Sequence, residues 1–211
     1  MTSRVRFSTA RDVIEAFQDL RRISPRPADT AAPLDYVRQL LVSRPPTNAI
    51  LFLAYLLPRR EAVWWARQCV GAILGPRSDD DALRAADAWV RAPEEERRLA
   101  ALAIGTAGDQ ARATTWLALA VGRSGGSVSA PDQKPIVLSP SACAQAVNAA
   151  IVLAICGEEP KTIRGWVDAC VEAGIRFAEG GEARVVALRS PDPRSPAAAQ
   201  RGAKLAQSFE N

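Results

Sequence analysis

The sequence predicts an all-α protein: a compact orthogonal bundle of about eight to nine helices, with an irregular helical-repeat stack as the alternative. Three observations predict it. Alanine, the best helix former and a residue that lets helices approach closely, supplies about a fifth of the 211 residues. Apolar residues recur at helical spacing through most of the chain. Candidate helices open at prolines or Ser, Thr and Asp caps and close at glycines, with short turns between them. No fixed period is present, so no internal repeat is assigned.

Taken in order, Ser8 or Thr9 opens the first helix, whose face is Val13, Ile14, Phe17 and Leu20. The stretch SPRPADTAAP, residues 24–33, is a turn-rich connection. Pro33 starts a helix to about Val42, carrying Leu34, Val37, Leu40 and Leu41. After SRPPTN, a short helix from Asn48 to about Leu57 is apolar almost all round and should lie centrally. Pro58 suits the first position of the next helix, where its missing N–H needs no partner. Val63, Ala66, Val70 and Ile73 share one side of that helix. Trp64 and Trp65 point about a hundred degrees apart, so one of them is expected at an edge or on an interaction surface.

Ser78 is read as the cap of the following helix, with Asp79, Asp80 and Asp81 in its first turn, where carboxylates complement the macrodipole. Its face is Leu83, Ala86 and Val90, with Trp89. Pro93 begins another helix, in which Glu94 and Arg98 are placed to form a surface ion pair of about 0.3 kcal/mol. Gly108-Asp109 turns the chain and caps QARATTWLALAVG. Ser139-Pro140 starts SPSACAQAVNAAIVLAICG, a helix of small residues able to pack closely. Pro160 starts the last helix, with Ile163, Trp166, Val167, Cys170, Val171 and Ile175 on one face. The chain thus divides into a single helical domain, residues 1–181, and a flexible tail, residues 182–211. Within the latter, ARVVAL reads as a strand or an extended arm.

Composition narrows the function classes. Histidine is absent, which removes the usual general base of serine and cysteine hydrolases and the commonest zinc and haem ligand. Cys69, Cys143, Cys156 and Cys170 are widely spaced in apolar helical patterns and are expected as buried thiols, with a Cys156–Cys170 bridge as the alternative. The N-terminal MTSRVRFSTARDVIEAF has no apolar core of the signal-peptide kind, and the longest apolar run, AILFLAYLL, is too short to span a bilayer. A cytoplasmic protein without membrane insertion is expected. The formal charge of +4 comes from interspersed arginines and acids without a basic block, so no nucleic-acid partner is expected.

Residues 122–126, Gly-Arg-Ser-Gly-Gly, fit the G-x-S-x-G pattern of a nucleophile elbow. An elbow follows a strand and precedes a helix; Ser124 follows a helical segment and precedes an extended one. No histidine exists to deprotonate it, and neither Lys134 nor Lys161 stands at the spacing of a Ser–Lys pair. The glycines are better read as a helix stop with Arg123 near the negative dipole end. The length of the loop that follows points to a lid or docking edge, since long ordered loops usually bind or cover something. Ile136 and Leu138 are expected to tuck into the bundle, with Ser127, Ser129, Asp132 and Gln133 facing outward.

Three segments carry a family resemblance: EAVWWARQCVGAIL, AADAWVRAPEEERRLAALAIG, and TTWLALAVGRSGGSVSAPDQKPIVLSPSACAQAVNAAIVLA. From about Arg59 to Glu179 the chain resembles an uncharacterised bacterial family whose members tend to be encoded among type VI secretion genes. The most specific parts are Trp64-Trp65, the step from Trp89-Val90 to Pro93, and the Ser-Gly-Gly-Ser loop; where family members carry an aromatic-Trp pair before Ser-Gly-Gly, this chain has Gly122-Arg123. The resemblance implies a cytoplasmic accessory protein of a contractile secretion apparatus and transfers no catalytic residue.

The resulting expectation is a non-enzymatic adaptor or chaperone, without cofactor or metal, that binds a secretion-system component or effector. Its expected protein-binding residues are Trp64, Trp65, Arg67, Arg123, Ser124, Ser127, Asp132 and Gln133. The alternatives are an immunity protein against a toxin, and a small-ligand binder or enzyme using Arg59, Arg60, Glu61, Glu158 and Glu159.

Overall fold

The computed structural model describes residues 2–75, 80–129 and 134–186. Among these the chain forms nine α-helices and one 3-10 turn, and no β-strand. In α1 (Ala10–Ala16), Thr9 caps the first turn through a reciprocal pair: the Asp12 N–H donates to Thr9 Oγ1 at 3.1 Å, and the Thr9 N–H donates to Asp12 Oδ2 at 2.8 Å. The helix stops at Phe17, and the 3-10 turn Gln18–Arg22 carries Leu20 into the core. The face expected of one helix is therefore delivered by two elements.

The remaining helices are α2 (Pro33–Val42), α3 (Asn48–Leu56), α4 (Arg59–Leu74), α5 (Asp81–Arg91), α6 (Glu95–Ala107), α7 (Ala113–Gly122), α8 (Ala142–Cys156) and α9 (Pro160–Ala178). Proline occupies the first position of α2 and α9, as the sequence predicts. Pro58 instead sits one residue earlier than expected, as the cap of α4. The cap of α5 is Asp80, whose Oδ1 accepts from the Ala82 N–H at 2.8 Å, while Ser78 and Asp79 lie outside the described residues. Asp109 closes a turn, accepting from the Ala111 N–H at 2.9 Å, and α7 begins later, at Ala113.

The helices cross in a bundle. α8 packs against α3, α4, α7 and α9, and α7 packs against α4, α5, α6 and α8. In a solenoid each unit would touch only its sequence neighbours; contacts such as α3 with α8 and α2 with α9 exclude that alternative. Every residue of α7 except Trp116 is buried, and α8 meets its neighbours through Ala144, Ala146, Val147, Ala150, Ile151 and Ala154. The α6–α7 crossing is close enough to require glycine on both helices. A Cβ at Gly105 would lie 2.9 Å from the Leu119 backbone nitrogen, and one at Gly122 would lie 2.7 Å from the Leu102 Cα.

The N-terminal arm closes the last helix. The Arg4 N–H donates to the Ala178 carbonyl at 2.9 Å, and its guanidinium lies 4.1 Å from the Phe177 ring centroid and donates to the Gly181 carbonyl at 3.0 Å. Ala183 and Val185 are buried beyond it, so the packed body extends past residue 181 in an extended arm; the proposed tail from residue 187 onward lies outside the described residues. All four cysteines are free, and Cys156 is exposed instead of buried. Cys170 meets Cys69, not Cys156, and burial pushes the Cys69 thiol well above its ordinary range. Among the described residues, no helix is long and apolar enough to cross a membrane.

Candidate functional site: a pinned glycine loop and the groove beside it

The buried C-terminus of α7 leaves carbonyl groups without helical partners, and two arginines from distant elements supply them. Arg59, at the start of α4, donates through Nη1 to the Ser124 carbonyl at 2.7 Å. Arg98, in the first turn of α6, donates through Nη1 to the Gly122 carbonyl and through Nη2 to the Ser127 carbonyl at 2.7 Å. Its Nε and Nη2 also grip the Glu95 carboxylate at 2.7 and 2.6 Å. These hydrogen bonds, and then the nearby charge, hold the Glu95 carboxyl below the usual range. Gly126, at φ +64°, lies on the guanidinium so closely that a Cβ there would sit 2.7 Å from Arg98 Nη2.

Arg98 is only 3% exposed. The expected Glu94–Arg98 surface pair is therefore not formed: Glu94 pairs with Arg97 at 3.2 Å, and Arg98 turns inward. Antiparallel packing brings the N-terminus of α6 to the C-terminus of α7, where carbonyls without helical partners favour a cation. A signal for this was present in the sequence. Arg98, Ala101, Leu102 and Gly105 follow helical spacing, so Arg98 stands on the face α6 turns toward α7.

Beyond the pinned turn the chain folds back on itself. Ser127 and Val137 form an antiparallel bridge, and the Val128 N–H donates to the Ile136 carbonyl at 3.0 Å. The Ser127 hydroxyl accepts from the Ile136 N–H at 3.0 Å and lies 2.7 Å from the Ser129 hydroxyl. Leu138 is half-buried, but Ile136 is 56% and Val137 78% exposed. Ile136 does not tuck into the bundle. The two described ends of the loop pair with each other at the surface, over a core already closed by α7 and α8.

Two adjoining clefts run between this loop and α6, sharing Leu102, Thr106 and Val128. One, of about 450 Å³, is walled by Leu99, Ala103 and Ser129; the other, of about 490 Å³, reaches Leu119, Arg123, Leu138 and Gln145. The Arg123 guanidinium carbon lies 5.5 Å from the centroid of the Trp116 ring.

The structure brings Arg123, Ser124 and Ser127 together and sends the other expected residues elsewhere. Trp65 is fully buried and its indole N–H donates to the Cys170 carbonyl at 2.9 Å, so it is a core residue joining α4 to α9 and no contact surface. Trp64 is half-buried against the same core. Arg67 pairs with Asp87 at 2.6 Å and belongs to the α4–α5 contact. Asp132 and Gln133 lie outside the described residues. Ser124 is itself buried, with its carbonyl held by Arg59, and a helix precedes it. That is the geometry of a helix stop.

Four of the arginines and glutamates weighed for ligand chemistry, Arg59, Arg60, Glu158 and Glu159, have separate local partners. Arg60 donates to the Val90 carbonyl at 2.7 Å, the Trp166 indole donates to Glu158 at 3.3 Å, and Glu159 pairs with Lys161 at 2.6 Å. Among the described residues no group of three or more Cys, Asp or Glu gathers in a way that could hold a metal ion.

Fold and site together define an all-helical protein with a glycine turn held by Arg59 and Arg98 beside an open groove. The chain belongs to DUF6931, a family of unknown function, whose model matches residues 36–178, from α2 through α9. No curated protein and no solved structure matches it.

Proposed function

We propose that the protein is a non-enzymatic helical accessory protein, an adaptor or chaperone, that binds another protein through the loop–α6 face. One observation carries the reading: a loop pinned by the buried Arg98 presents Ile136 and Val137 to solvent instead of burying them. Contiguous exposed apolar surface marks interaction sites. The exposed Leu99 of α6 lines a cleft with Val128 and Ser129 of the same loop. The resemblance to proteins encoded among type VI secretion genes supplies the setting: a cytoplasmic partner that is a component or effector of that apparatus.

The test is photo-crosslinking in a bacterium that encodes the protein, with Val137→p-benzoylphenylalanine, and identification of the product by mass spectrometry. A secretion-apparatus protein should be captured from position 137, and Ile136→Asp should abolish its capture. Capture of no such protein, or equal capture with Ile136→Asp, overturns the reading.

A further inference from the structure

We infer that the groove between α6 and the folded-back loop takes an acidic, apolar-faced peptide segment of the partner, with one of its carboxylates on Arg123. This rests on the protein-binding reading above and specifies what that face recognises.

The argument is one of charge and shape. Leu102, Ala103, Val128 and Leu138 give the groove apolar walls, and Leu99 stands at its rim. Among the described residues no carboxylate lines either cleft, and Arg123, in the cleft that reaches Leu138, is the single charged residue of the two linings. Several arginines elsewhere on the surface are matched to acids: Arg11 with Glu15 and Asp29, Arg38 with Asp35 and Glu179, Arg112 with Asp80. Among the described residues no acid is paired with Arg123, whose guanidinium instead lies against Trp116. A guanidinium restrained on an aromatic ring is preorganised, so engaging a carboxylate orders little further. A cation left without an acid at the edge of an apolar groove selects for a carboxylate-bearing ligand and against a basic one.

That selection also discriminates among occupants. Residues 187–211 of the chain itself carry Arg189, Arg194, Arg201 and Lys204 against Asp192 and Glu210, the wrong sign for Arg123. A partner segment with two apolar anchors and an adjacent Asp or Glu has the right one.

The experiment pans a random dodecapeptide phage library over the full-length protein. The best selected peptide is then synthesised and its affinity measured by fluorescence anisotropy. Selected sequences should place Asp or Glu beside Leu, Ile or Phe. Arg123→Glu should weaken binding about tenfold or more, as should replacing the peptide's acids by lysine. Ala103→Glu, an exposed change on the opposite wall, provides a second variant that leaves the core untouched. Neutral or basic consensus peptides, no enrichment, or an affinity indifferent to both variants overturns the inference. So does a tenfold gain on deleting residues 187–211, which makes the tail the occupant, or a self-association lost in Ala103→Glu, which makes it a second copy. Capture from position 137 that survives Arg123→Glu leaves the protein-binding reading standing and removes this one.

Discussion

Replacing Arg98 by methionine should destabilise the protein far more than any other arginine on the α6 surface. The side chain is 4% exposed and donates to two main-chain carbonyls besides the Glu95 carboxylate. Hydrogen bonds from a charged donor contribute about 1.5–3 kcal/mol each. The Glu95 carboxylate is 61% exposed, so solvent recovers most of that pair and its share is about 0–1 kcal/mol. Methionine retains much of the aliphatic stem but leaves the Gly122 and Ser127 carbonyls without their donor. The expected loss is about 3–5 kcal/mol, the range for removing one member of a buried polar pair. Urea unfolding followed by circular dichroism measures it, with Glu95→Gln as the control at under about 1 kcal/mol. Hydrogen exchange should quicken first at the Val128 amide, which pairs with Ile136 just beyond the clamp. A loss below about 1 kcal/mol for Arg98→Met, or an equal loss for Glu95→Gln, would refute the claim that Arg98 holds the loop.

Four further outcomes can be measured alongside it, two at the same turn and two at the 3-10 turn. Gly122→Ala places a Cβ 2.7 Å from the Leu102 Cα and should cost about 1–3 kcal/mol by urea midpoint, since backbone must shift. Gly125→Ala meets nothing nearer than Arg59 Nη1 at 4.0 Å and should stay within about 0.5 kcal/mol. At the junction of the 3-10 turn with α3 and α8, hydrogen bonds from Ser141, Tyr55 and Gln145 hold the Asp19 carboxyl below its ordinary range. Its folded value is the lower one, so the stability it contributes is complete above the ordinary aspartate range and is lost as pH falls through the folded value. Acid titration of thermal stability should therefore lose part of its slope in Asp19→Asn. The Tyr55 phenol, pushed up to about 12 chiefly by burial and then by Asp19, works in the opposite sense. Its contribution is complete below the ordinary tyrosine value of 10.0 and disappears as pH rises through about 12, so Tyr55→Phe should flatten the alkaline limb.

The helices were legible because their signals are local. Pro33 and Pro160 mark the starts of α2 and α9 since proline fixes its own φ and donates no hydrogen bond. Local signals also misled where one motif serves two structures. Asp109 has the residue type of a helix cap, but it caps a turn, because its acceptor oxygen meets the Ala111 N–H before the helix begins. The tryptophan pair shows a different limit. Helical periodicity separates Trp64 from Trp65 by direction but does not say which direction is inward. That is decided by α9, where a Cβ at Gly174 would lie 3.0 Å from the Trp65 ring. In the site, the helix stop at the glycines was readable, and the inward face of Arg98 was too, but the carbonyls that Arg98 and Arg59 reach were not. Arg98 reaches a carbonyl 24 residues away, and Arg59 one 65 residues away. An arginine whose burial depends on acceptors that remote carries no mark of it beyond its place on an apolar face.

The energetics of the loop bear on why its exposed side chains matter. Ordering a glycine-rich segment costs about 1–2 kcal/mol per residue in backbone entropy, and loops ordinarily recover this by burying side chains. Here the recovery comes from underneath, through Arg59, Arg98 and the Ser127 pairing, while Ile136 and Val137 remain in water. The fold therefore spends one buried cation, Arg98, on fixing a surface whose apolar groups add little to the stability of the isolated chain. A partner meeting that surface finds the conformational cost already met, so the apolar area it covers converts to affinity with a smaller entropic loss. Under the proposed function this separates the roles of two neighbouring arginines. Arg98 sets the shape of the face from within and its loss should appear as instability, whereas Arg123, paired with no acid among the described residues, should affect recognition while leaving the fold intact.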